Sequence, residues 1–270
     1  MSQNKEEIEK NITLAKELRR EVLDMIYRTK SPHIGSSLSM VDLFTALYFG
    51  VLNVSPLDER DRLLLSKGHG CATLYAVLNK KGIISKSELD SFATDGGCLG
   101  QHPNLDLKRG IEITSGSLGH GLSIGAGMAL AGKTDKKDYR TFVYMGDGEL
   151  NEGSVWEAAL FSAHHGLDNL IAIIDRNNLQ ALGSGKDIMN LEPLAEKWKS
   201  FGWGVREIDG HDMGEIMETF SEIPFEKGKP SCIVANTVKG KGVSFMENDF
   251  RWHDKSPNEE EYQKALKELQ

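Results

Sequence analysis

The sequence predicts a three-layer, doubly wound α/β fold in which helices cover both faces of a mostly parallel sheet. Short apolar runs, such as Thr141–Met145 and Leu170–Ile174, alternate along the chain with segments whose apolar residues recur at helical spacing. These runs are apolar at almost every position, a pattern typical of strands buried on both faces. Alternating strands and helices indicate a parallel sheet, and 270 residues are compatible with a single domain over 1–270.

The individual elements follow in order from the amino terminus. Lys5–Tyr27 has apolar residues at helical spacing, and Pro32 begins a loop. A second helix is predicted from Ser39, whose hydroxyl is expected to cap its first turn. Gly132 is expected to cap the helix predicted at Leu122–Ala131. The remaining predicted strands are Leu63–Leu65, Arg206–Asp209 and Cys232–Val238, and the remaining predicted helices are Tyr75–Asn79, Glu152–His165, Glu192–Phe201, Met213–Phe220 and an acidic tail or linker stub at 255–270.

Composition and charge argue against several classes of protein. Lys plus Arg number 32 against 40 Asp plus Glu, and the net charge of −8 argues against a nucleic-acid-binding surface. Cys71, Cys98 and Cys232 form no Cys-x-x-Cys pair, which predicts free thiols in a reducing compartment. Met1–Lys10 is polar and acidic, unlike a signal peptide, and no apolar run approaches the roughly 20 residues of a membrane span. We therefore expect a cytoplasmic protein that binds neither nucleic acid nor a membrane.

Polar residues follow two of the predicted strands at the points where those strands end. Gly146, Asp147 and Gly148 follow one strand, and Asp175–Asn178 follows the other. Neighbouring parallel strands end at the same edge of a sheet, so Asp147 and Asn177 are expected to face one ion. A carboxylate and an amide oxygen, with a nearby backbone carbonyl, suit Mg²⁺. Because Gly148 lacks a side chain and precedes a helix, a phosphate can approach its backbone closely, which predicts a site for Mg²⁺ and a diphosphate.

Three other interpretations of the glycine-rich segments are weaker. A lone Gly-Asp-Gly triplet is more commonly a tight turn, but the Asn pair at the next strand end favours the metal site. Gly127–Thr134 matches the phosphate-binding loop G-x-x-x-x-G-K-T, yet it follows a helical pattern rather than a strand. Gly146 and Gly148 begin a dinucleotide-binding pattern, but Asn151 occupies the position of its third glycine.

With the segments around them, these strand ends are similar to the thiamine diphosphate motif, and the chain resembles the amino-terminal half of transketolase. The further matching segments, in the family's order, are Ser31–Ser36, Leu65–Gly70, Gly100–Pro103, Thr114–Gly119 and Trp252–His253. They span almost the whole chain, and their joint match is far more specific than any one segment. The resemblance implies thiamine diphosphate as the cofactor and Mg²⁺ as the metal, with Ca²⁺ or Mn²⁺ as alternatives.

The resemblance also implies roles for individual residues. Asp147, Asn177 and the backbone carbonyl of Leu179 are expected to bind the metal. The implied cofactor-binding residues are Ser36, His69, Gly116, Ser117, Leu118, Gly148, Asn177, Lys239 and His253. The implied catalytic residues, which would donate hydrogen bonds to sugar hydroxyls and shuttle protons, are His33, His69, His102 and His253.

The histidines and Lys239 each have a simpler interpretation as well. A single histidine is more often a surface or structural residue, although imidazole is well suited to proton exchange near neutral pH. Lys239 alone is compatible with a solvated basic loop, but the strand before it also makes it well placed to meet a phosphate. The remaining histidines, which we interpret as structural, are His120, His164, His165 and His211.

In the resembled family a second, carboxyl-terminal domain supplies a glutamate against the aminopyrimidine ring and the site for the sugar phosphate, and this sequence ends at Gln270 before it. We therefore hypothesise the amino-terminal subunit of a split transketolase, which transfers a two-carbon ketol unit from a ketose phosphate to an aldose acceptor. The donor is expected to be a pentose phosphate pathway sugar or a branched sugar. The expected partner is a separately encoded carboxyl-terminal subunit that supplies the missing site in an α2β2 assembly.

Several alternatives stay open at this point. The α subunit of a thiamine diphosphate-dependent 2-oxo acid dehydrogenase would use the same diphosphate site, but the four matching histidines fit sugar hydroxyls better. A noncatalytic cofactor-binding module is a second alternative, and the intact metal ligands argue against it. A fragment of a longer transketolase is also compatible with the sequence. Glu152 and Glu157 resemble acidic residues that link two active sites across a dimer, whereas their spacing alone favours solvated charges.

Overall fold

The computed structural model describes residues 2–270, with side chains from residue 5 onward. Met1, which begins the predicted 1–270 domain and the polar segment Met1–Lys10, lies outside the described residues. The strands are β1 (Arg62–Leu65), β2 (Thr141–Gly146), β3 (Leu170–Arg176), β4 (Leu179–Gln180), β5 (Gly183–Ser184), β6 (Gly204–Asp209) and β7 (Ser231–Asn236). The helices are α1 (Ser2–Thr29), α2 (Ile34–Leu38), α3 (Val41–Ala46), α4 (Cys71–Lys80), α5 (Lys86–Asp90), α6 (Gly121–Thr134), α7 (Gly153–His164), α8 (Gly185–Ile188), α9 (Leu194–Ser200), α10 (Met213–Ser221) and α11 (Glu259–Glu268).

Short helical segments of other types occur between these elements. They are a π-helical turn at Leu47–Val51 and 3₁₀ turns at Gly68–Gly70, Leu107–Arg109, Gly148–Asn151 and Phe250–His253. Most of the 3₁₀ turns belong to loops that follow strands or precede the carboxyl terminus, where the candidate site residues cluster.

Within residues 2–270, five strands form one parallel sheet in the order β1-β2-β3-β7-β6, and β4 and β5 pair as a small antiparallel hairpin. In the register of β2 and β3, Gly146 lies opposite Asp175, so Asp147 and Asn177 leave neighbouring strands at the same edge. On the other side of β3, Arg176 lies opposite Asn236 of β7. The residues that follow β1, β2, β3 and β7 therefore meet at the carboxyl edge of the sheet, where open α/β sheets bind ligands.

Two hydrophobic cores lie on opposite faces of this sheet. Phe142 and Tyr144 of β2 pack into one core with residues of α1, α3, α4 and α10. Val143 and Met145 pack into the other core with residues of α6, α7 and α9. Each fully buried apolar side chain contributes about 1.5–3 kcal/mol, so both faces of the inner strands β2, β3 and β7 favour apolar residues. The arrangement confirms the predicted α/β fold with helices on both faces.

The segment predicted as an acidic tail packs against the domain. Its helix α11 begins with Asn258 and Glu261 in a reciprocal capping arrangement, which satisfies the first backbone amides. Ala265 of α11 is buried in the same core as α1, and the Tyr262 ring stacks on Tyr27 at 4.0 Å. Within residues 2–270, helices lack the combination of length and apolar character that crossing a membrane requires.

Three predictions of local structure are wrong in detail. Ser39 does not cap the first turn of a helix, because it lies at the carboxyl-terminal cap of α2 and Met40 occupies the position before α3. Gly132 lies inside α6 rather than at its end, and it allows close packing of Tyr139, whose ring carbon lies 2.9 Å from where a Cβ would be. The last strand β7 ends at Asn236, two residues earlier than Val238 in the predicted strand, so the residues up to Lys239 leave the sheet.

Candidate active site

A cavity of about 340 Å³ lies at the carboxyl edge of the sheet. It brings together the predicted site residues from widely separated stretches of the chain, except for Ser117. Ser117 is exposed on a neighbouring groove with Ser115 and His120, although Gly116 and Leu118 on either side of it line the cavity. The lining residues are His33, Ser36, Lys67, His69, His102, Gly116, Leu118, Gly146, Asp147, Gly148, Glu149, Asn177, Leu179, Gln180, Ala181, Lys239 and His253.

Asp147 and Asn177 lie together on the ends of β2 and β3. The carboxylate of Asp147 is buried and accepts hydrogen bonds from the backbone N–H groups of Gly148 at 2.8 Å and Asn178 at 2.5 Å. The amide oxygen of Asn177 accepts a hydrogen bond from the backbone N–H of Leu179 at 3.1 Å. Asn178 adopts a left-handed conformation with φ of 60°, which asparagine tolerates better than most residues. This tight turn holds both oxygen-bearing side chains at one end of the cavity.

The residues present fit a divalent cation and a diphosphate. Burial and the charge of nearby Asp175 raise the pKa of Asp147 to about 6, because together they outweigh two backbone hydrogen bonds and the charge of Lys67, which lower it. A bound cation would stabilise the charged form of this carboxylate. Gln180 Nε2 is buried without a hydrogen-bond partner among the described residues, so it is a donor available to a phosphate oxygen. A Cβ at Gly148 would lie only 3.1 Å from Gln180 Cγ, so glycine leaves room for a phosphate to approach the backbone beside Gln180.

The four predicted catalytic histidines form one cluster at the other end of the cavity. The His33 ring lies 5.3 Å from His69, 5.8 Å from His102 and 5.2 Å from His253 between ring centroids. His33 has a left-handed backbone with φ of 75°, and its N–H donates to the carbonyl of His253 at 2.8 Å. This strained backbone conformation directs the loop before α2 toward the cavity. Strained conformations of this kind are common at functional sites.

The electrostatic surroundings keep the imidazoles of His33, His69 and His253 neutral. Burial, followed by the proximity of His102, lowers the pKa of His33 to about 4. Burial, followed by the charge of Lys239, lowers the pKa of His253 to about 4. Burial and the charge of Lys67 lower the pKa of His69 well below its usual value. Neutral imidazoles each carry one donor and one acceptor nitrogen, so the cluster can both give hydrogen bonds to hydroxyl groups and accept hydrogen bonds from them.

Lys239 reaches the cavity from the loop after β7. Its ammonium lies 2.9 Å from Nδ1 of His253, and the side chain is buried. Burial and the charge of Lys67 lower the pKa of Lys239 to about 8. Among the described residues, Lys239 forms no ion pair with a carboxylate, which leaves a buried positive charge available to an anion such as a phosphate.

Asp175 and Lys67 are buried residues of the site that sequence reasoning did not single out. Asp175, at the end of β3, accepts hydrogen bonds from Lys67 Nζ at 2.5 Å and from Ser39 Oγ at 2.7 Å, and also from the hydroxyl of Thr237. Although burial opposes it, the Lys67 ammonium holds the pKa of Asp175 below its usual value. Lys67 also donates to the carbonyl of Ser36 at 3.1 Å. One carboxylate thus joins the loops that carry several of the cavity-lining residues.

Glu149 connects the loop at Gly116 and Leu118 to the end of β2. Its carboxylate accepts hydrogen bonds from the hydroxyl of Ser66 and from the backbone N–H of Gly119 at 2.8 Å. Burial raises its pKa. Lys67 and Glu149 lie inside or beside segments that match the family, so the sequence does mark both as candidate site residues. Nothing in the local sequence shows that their charges are buried.

The other predicted structural residues lie away from this cavity. His164 and His165 are exposed at the end of α7, and His120 is exposed before α6. His211 is hydrogen-bonded to Asp42 outside the cavity. The side chains of Glu152 and Glu157 are exposed at and after the start of α7.

Comparison with known proteins places this geometry in a family. The family described as "Transketolase, thiamine diphosphate binding domain" matches residues 10–269. An apulose-4-phosphate transketolase subunit from Phocaeicola vulgatus is 44% identical over 255 residues, which are 93% of this chain and 90% of that protein. The protein of the same name from Actinobacillus succinogenes is 42% identical over 98% of this chain and 96% of its own length. The 6-deoxy-6-sulfo-D-fructose transketolase subunit SqwG of a Clostridium species is 42% identical over 94% of each chain.

Solved transketolases share the same fold. The transketolase of Leishmania mexicana superimposes with a TM-score of 0.89 at 29% identity, covering 96% of this chain and 41% of that one. The transketolase of Campylobacter jejuni also gives a TM-score of 0.89 at 29% identity, covering 96% of this chain and 43% of that one. The chain thus spans about two fifths of these solved transketolases. From the family match and these likenesses, the chain belongs to the transketolase family, as its amino-terminal, thiamine diphosphate-binding section.

Proposed function

We propose that this chain is the amino-terminal subunit of a split transketolase, which transfers a two-carbon ketol unit from a ketose phosphate to an aldose acceptor. The observation that carries the proposal is the one cavity that is lined both by the turn of Asp147 and Asn177 and by the cluster of four histidines. Two relatives whose names describe transketolase subunits match the chain over 90% and 96% of their own length, which supports the assignment.

Asp147, Asn177 and the carbonyl of Leu179 would hold a divalent metal, for which their hard oxygen ligands favour Mg²⁺ over softer ions, with Ca²⁺ or Mn²⁺ as alternatives. Lys239, His69 and the backbone of Gly148 would bind the diphosphate. Thiamine diphosphate, when bound, supplies the electron sink on which a two-carbon unit is carried between sugars. The protein contributes the binding, the orientation and the exclusion of water.

The histidines would handle the sugar hydroxyls. His33, His102 and His253 each have a nitrogen able to accept a proton from a hydroxyl and a nitrogen able to donate one. Because the pKa values of His33 and His253 lie at about 4, these side chains stay neutral at physiological pH and gain a proton only during the reaction. Lys239, in contact with His253, would disfavour a lasting positive charge on that imidazole. It would thereby favour return of the proton from His253 to the substrate.

The partner would be a separately encoded carboxyl-terminal subunit. It would supply the glutamate that faces the aminopyrimidine ring and the site for the sugar phosphate, in an α2β2 assembly. The subunit names of the relatives support a partner. The pentose phosphate pathway and less common sugars such as those in the relatives' names are both candidate sources of the substrate. The free thiols of Cys71, Cys98 and Cys232 support a reducing, cytoplasmic location.

The 2-oxo acid dehydrogenase and the noncatalytic module are not favoured. The relatives described above are named transketolases, and the four histidines have no evident role in the decarboxylation of an apolar oxo acid. The metal-binding turn and the buried lysine are both present, which a module that had lost cofactor chemistry would not need.

The test combines calorimetry with an activity assay. Thiamine diphosphate and Mg²⁺ are titrated into the chain together with its carboxyl-terminal partner, and ketol transfer from a ketose phosphate to an aldose is measured on the same complex. Asp147→Ala is expected to weaken metal-dependent cofactor binding by at least about tenfold. Asp138→Ala, at an exposed residue away from the cavity, is the control. Equal binding by Asp147→Ala and wild type would remove Asp147 from the metal site, and decarboxylation of pyruvate without ketol transfer would favour the dehydrogenase.

A further inference from the structure

His211 is hydrogen-bonded at both of its ring nitrogens, although it lies outside the cavity. It follows β6 in the turn at Gly210, and its side chain is 9% exposed. Its Nδ1 lies 2.7 Å from Asp42 Oδ2, and its Nε2 accepts a hydrogen bond from the backbone N–H of Val238 at 2.8 Å. Because a backbone amide can only donate, Nε2 carries no proton and Nδ1–H donates to Asp42. The two partners thus fix the imidazole in one neutral tautomer.

The Asp42 end of this chain of hydrogen bonds is rigid. Asp42 lies on α3 and is buried, and the guanidinium of Arg19 on α1 donates to both of its oxygens, with Nη1 3.0 Å from Oδ1. Although burial opposes it, the hydrogen bond from His211 and the charge of Arg19 hold the pKa of Asp42 below its usual value. A bidentate, charge-assisted pair between two packed helices leaves Asp42 little freedom to move. Asp42 can therefore act as a fixed support for the His211 ring.

The Val238 end leads into the cavity. Val238 lies between Thr237, whose hydroxyl donates to Asp175, and Lys239, whose ammonium contacts His253. The strand β7 has already ended at Asn236, so Val238 has no neighbour in the sheet to accept its N–H. Among the described residues, the bond to His211 is the one that this amide makes.

Lys239 depends on its backbone for its placement. It has no carboxylate partner among the described residues, so no ion pair holds its long side chain in the cavity. Its position follows from the loop of residues 237–240, whose amides are bonded to Arg176, His211 and Gly35. Removing the middle one of these bonds would leave the partly buried amide next to Lys239 without an acceptor, which favours a shift of the loop.

We propose that His211 is a positioning residue for the cofactor cavity: held by Asp42, it fixes the Val238 amide and thereby the place of Lys239. This inference rests on the proposed function of the cavity as a thiamine diphosphate site. It assigns a function to a histidine that the sequence pattern alone left as structural. The specific requirement is an acceptor atom at the position of Nε2, and neither bulk nor charge would replace it.

Two substitutions separate the two hydrogen bonds of His211. In His211→Gln, the side-chain carbonyl can reach the position of Nε2 and accept from Val238, while the bond to Asp42 is lost. In His211→Asn, the side-chain N–H₂ can reach the position of Nδ1 and donate to Asp42, but the Val238 amide is left unpaired. A merely structural role would make both variants behave alike, because each loses one bond of the same network. Asp138→Ala, at an exposed residue away from the cavity, is the control and should bind the cofactor as wild type does.

The measurements are calorimetric titration of thiamine diphosphate and Mg²⁺ into the chain together with its carboxyl-terminal partner, and hydrogen exchange of the amides in residues 237–240 without cofactor. We expect the Gln variant to bind within about threefold of wild type and the Asn variant about tenfold more weakly, since leaving a partly buried amide unpaired costs about 1 kcal/mol, which corresponds to roughly this factor. Exchange at Val238 should be faster in the Asn variant only. Equal affinity of the two variants for the cofactor, whether weak or as tight as wild type, would overturn the proposal.

The Gln variant tests the proposal even if the Asn variant fails to fold, because a tenfold loss of affinity in folded His211→Gln contradicts it. The two readouts also distinguish the proposals. If wild type binds cofactor but the exchange of Val238 is the same in every variant, the positioning role is wrong and the proposed function stands. If wild type binds no thiamine diphosphate, the proposed function is wrong, and the exchange pattern alone decides whether His211 fixes the loop.

Discussion

Replacing Lys67 by methionine is expected to destabilise the cofactor-free chain far more than replacing an exposed lysine. Lys67 is almost fully buried, and its ammonium lies 2.5 Å from Asp175 Oδ2, whose side chain is 0% exposed. Methionine keeps most of the volume of the side chain and removes the charge. Asp175 would then remain buried with the hydroxyls of Ser39 and Thr237 and the more distant amide of Asn177 as its side-chain hydrogen-bond donors, but without a countercharge.

The expected size of the loss follows from this arrangement. Removing one partner of a buried ion pair costs about 3–5 kcal/mol, because the other charge is left uncompensated. The two hydroxyl donors to Asp175 remain, so we expect the lower end of that range, about 3 kcal/mol. For a chain of this size, each kcal/mol lowers the melting temperature by about 2–4 °C, which corresponds to a decrease of roughly 6–12 °C.

Urea unfolding followed by tryptophan fluorescence measures this loss, with thermal unfolding as a second measurement. Lys80→Met removes a half-exposed ion pair with Glu17 and should cost less than about 1 kcal/mol. The double variant Lys67→Met with Asp175→Asn removes both charges, and it should be more stable than Lys67→Met alone because no charge is then buried without a partner. A loss in Lys67→Met no larger than in Lys80→Met, or a double variant less stable than the single one, would contradict the expected burial of an uncompensated Asp175.

Three further outcomes are expected. Although burial opposes it, hydrogen bonding to His211 and the charge of Arg19 lower the pKa of Asp42. The contribution of Asp42 to folding stability is therefore present above its unfolded pKa of about 3.9 and is lost as pH falls through its folded pKa. Asp42→Asn should lower the free energy of urea unfolding by about 1–3 kcal/mol at about pH 7 and by much less near pH 3, and a difference that does not change with pH would contradict this. Gly148→Ala should weaken thiamine diphosphate binding in calorimetry by about tenfold, since its Cβ would lie 3.1 Å from Gln180, while Gly153→Ala, whose Cβ meets nothing within 4 Å, should bind as wild type does. His33→Asn should keep the fold, because asparagine tolerates the left-handed backbone of this residue. The variant should slow ketol transfer, measured with the partner, by about 10²–10⁴-fold at unchanged cofactor affinity. An unchanged rate would exclude His33 from proton transfer.

Local sequence was sufficient to predict most of the fold because burial leaves a local pattern. Thr141–Met145 and Leu170–Ile174 are apolar on both faces, and both are buried strands in the structure. Neighbouring parallel strands end at the same edge of a sheet, and this rule was sufficient to predict that Asp147 and Asn177 lie in one cavity. The four catalytic candidates came from the family resemblance, because no local pattern relates His33 to His253.

Other features depend on contacts that no local pattern contains. Lys67 and Asp175 are 108 residues apart, and only the order β1-β2-β3-β7-β6 brings the ends of their strands to one cavity. Ser39 looked like a helix cap because serine commonly occupies that position, but its hydroxyl donates to Asp175 instead. Ser117 matched the family segment, although its side chain lies outside the cavity.

The order of residues along the chain was enough to establish the class of fold, the strand ends that meet at the carboxyl edge and the residue types suited to a metal, a diphosphate and proton exchange. The folded arrangement was needed to learn which charges are buried, how Asp175 joins several loops and how His211 supports the loop of Lys239. Periodicity and turn chemistry are set by neighbours within a few residues, so they are legible in the chain. Desolvation and hydrogen-bond partners are set by residues distant in sequence, so they exist only once the sheet has assembled.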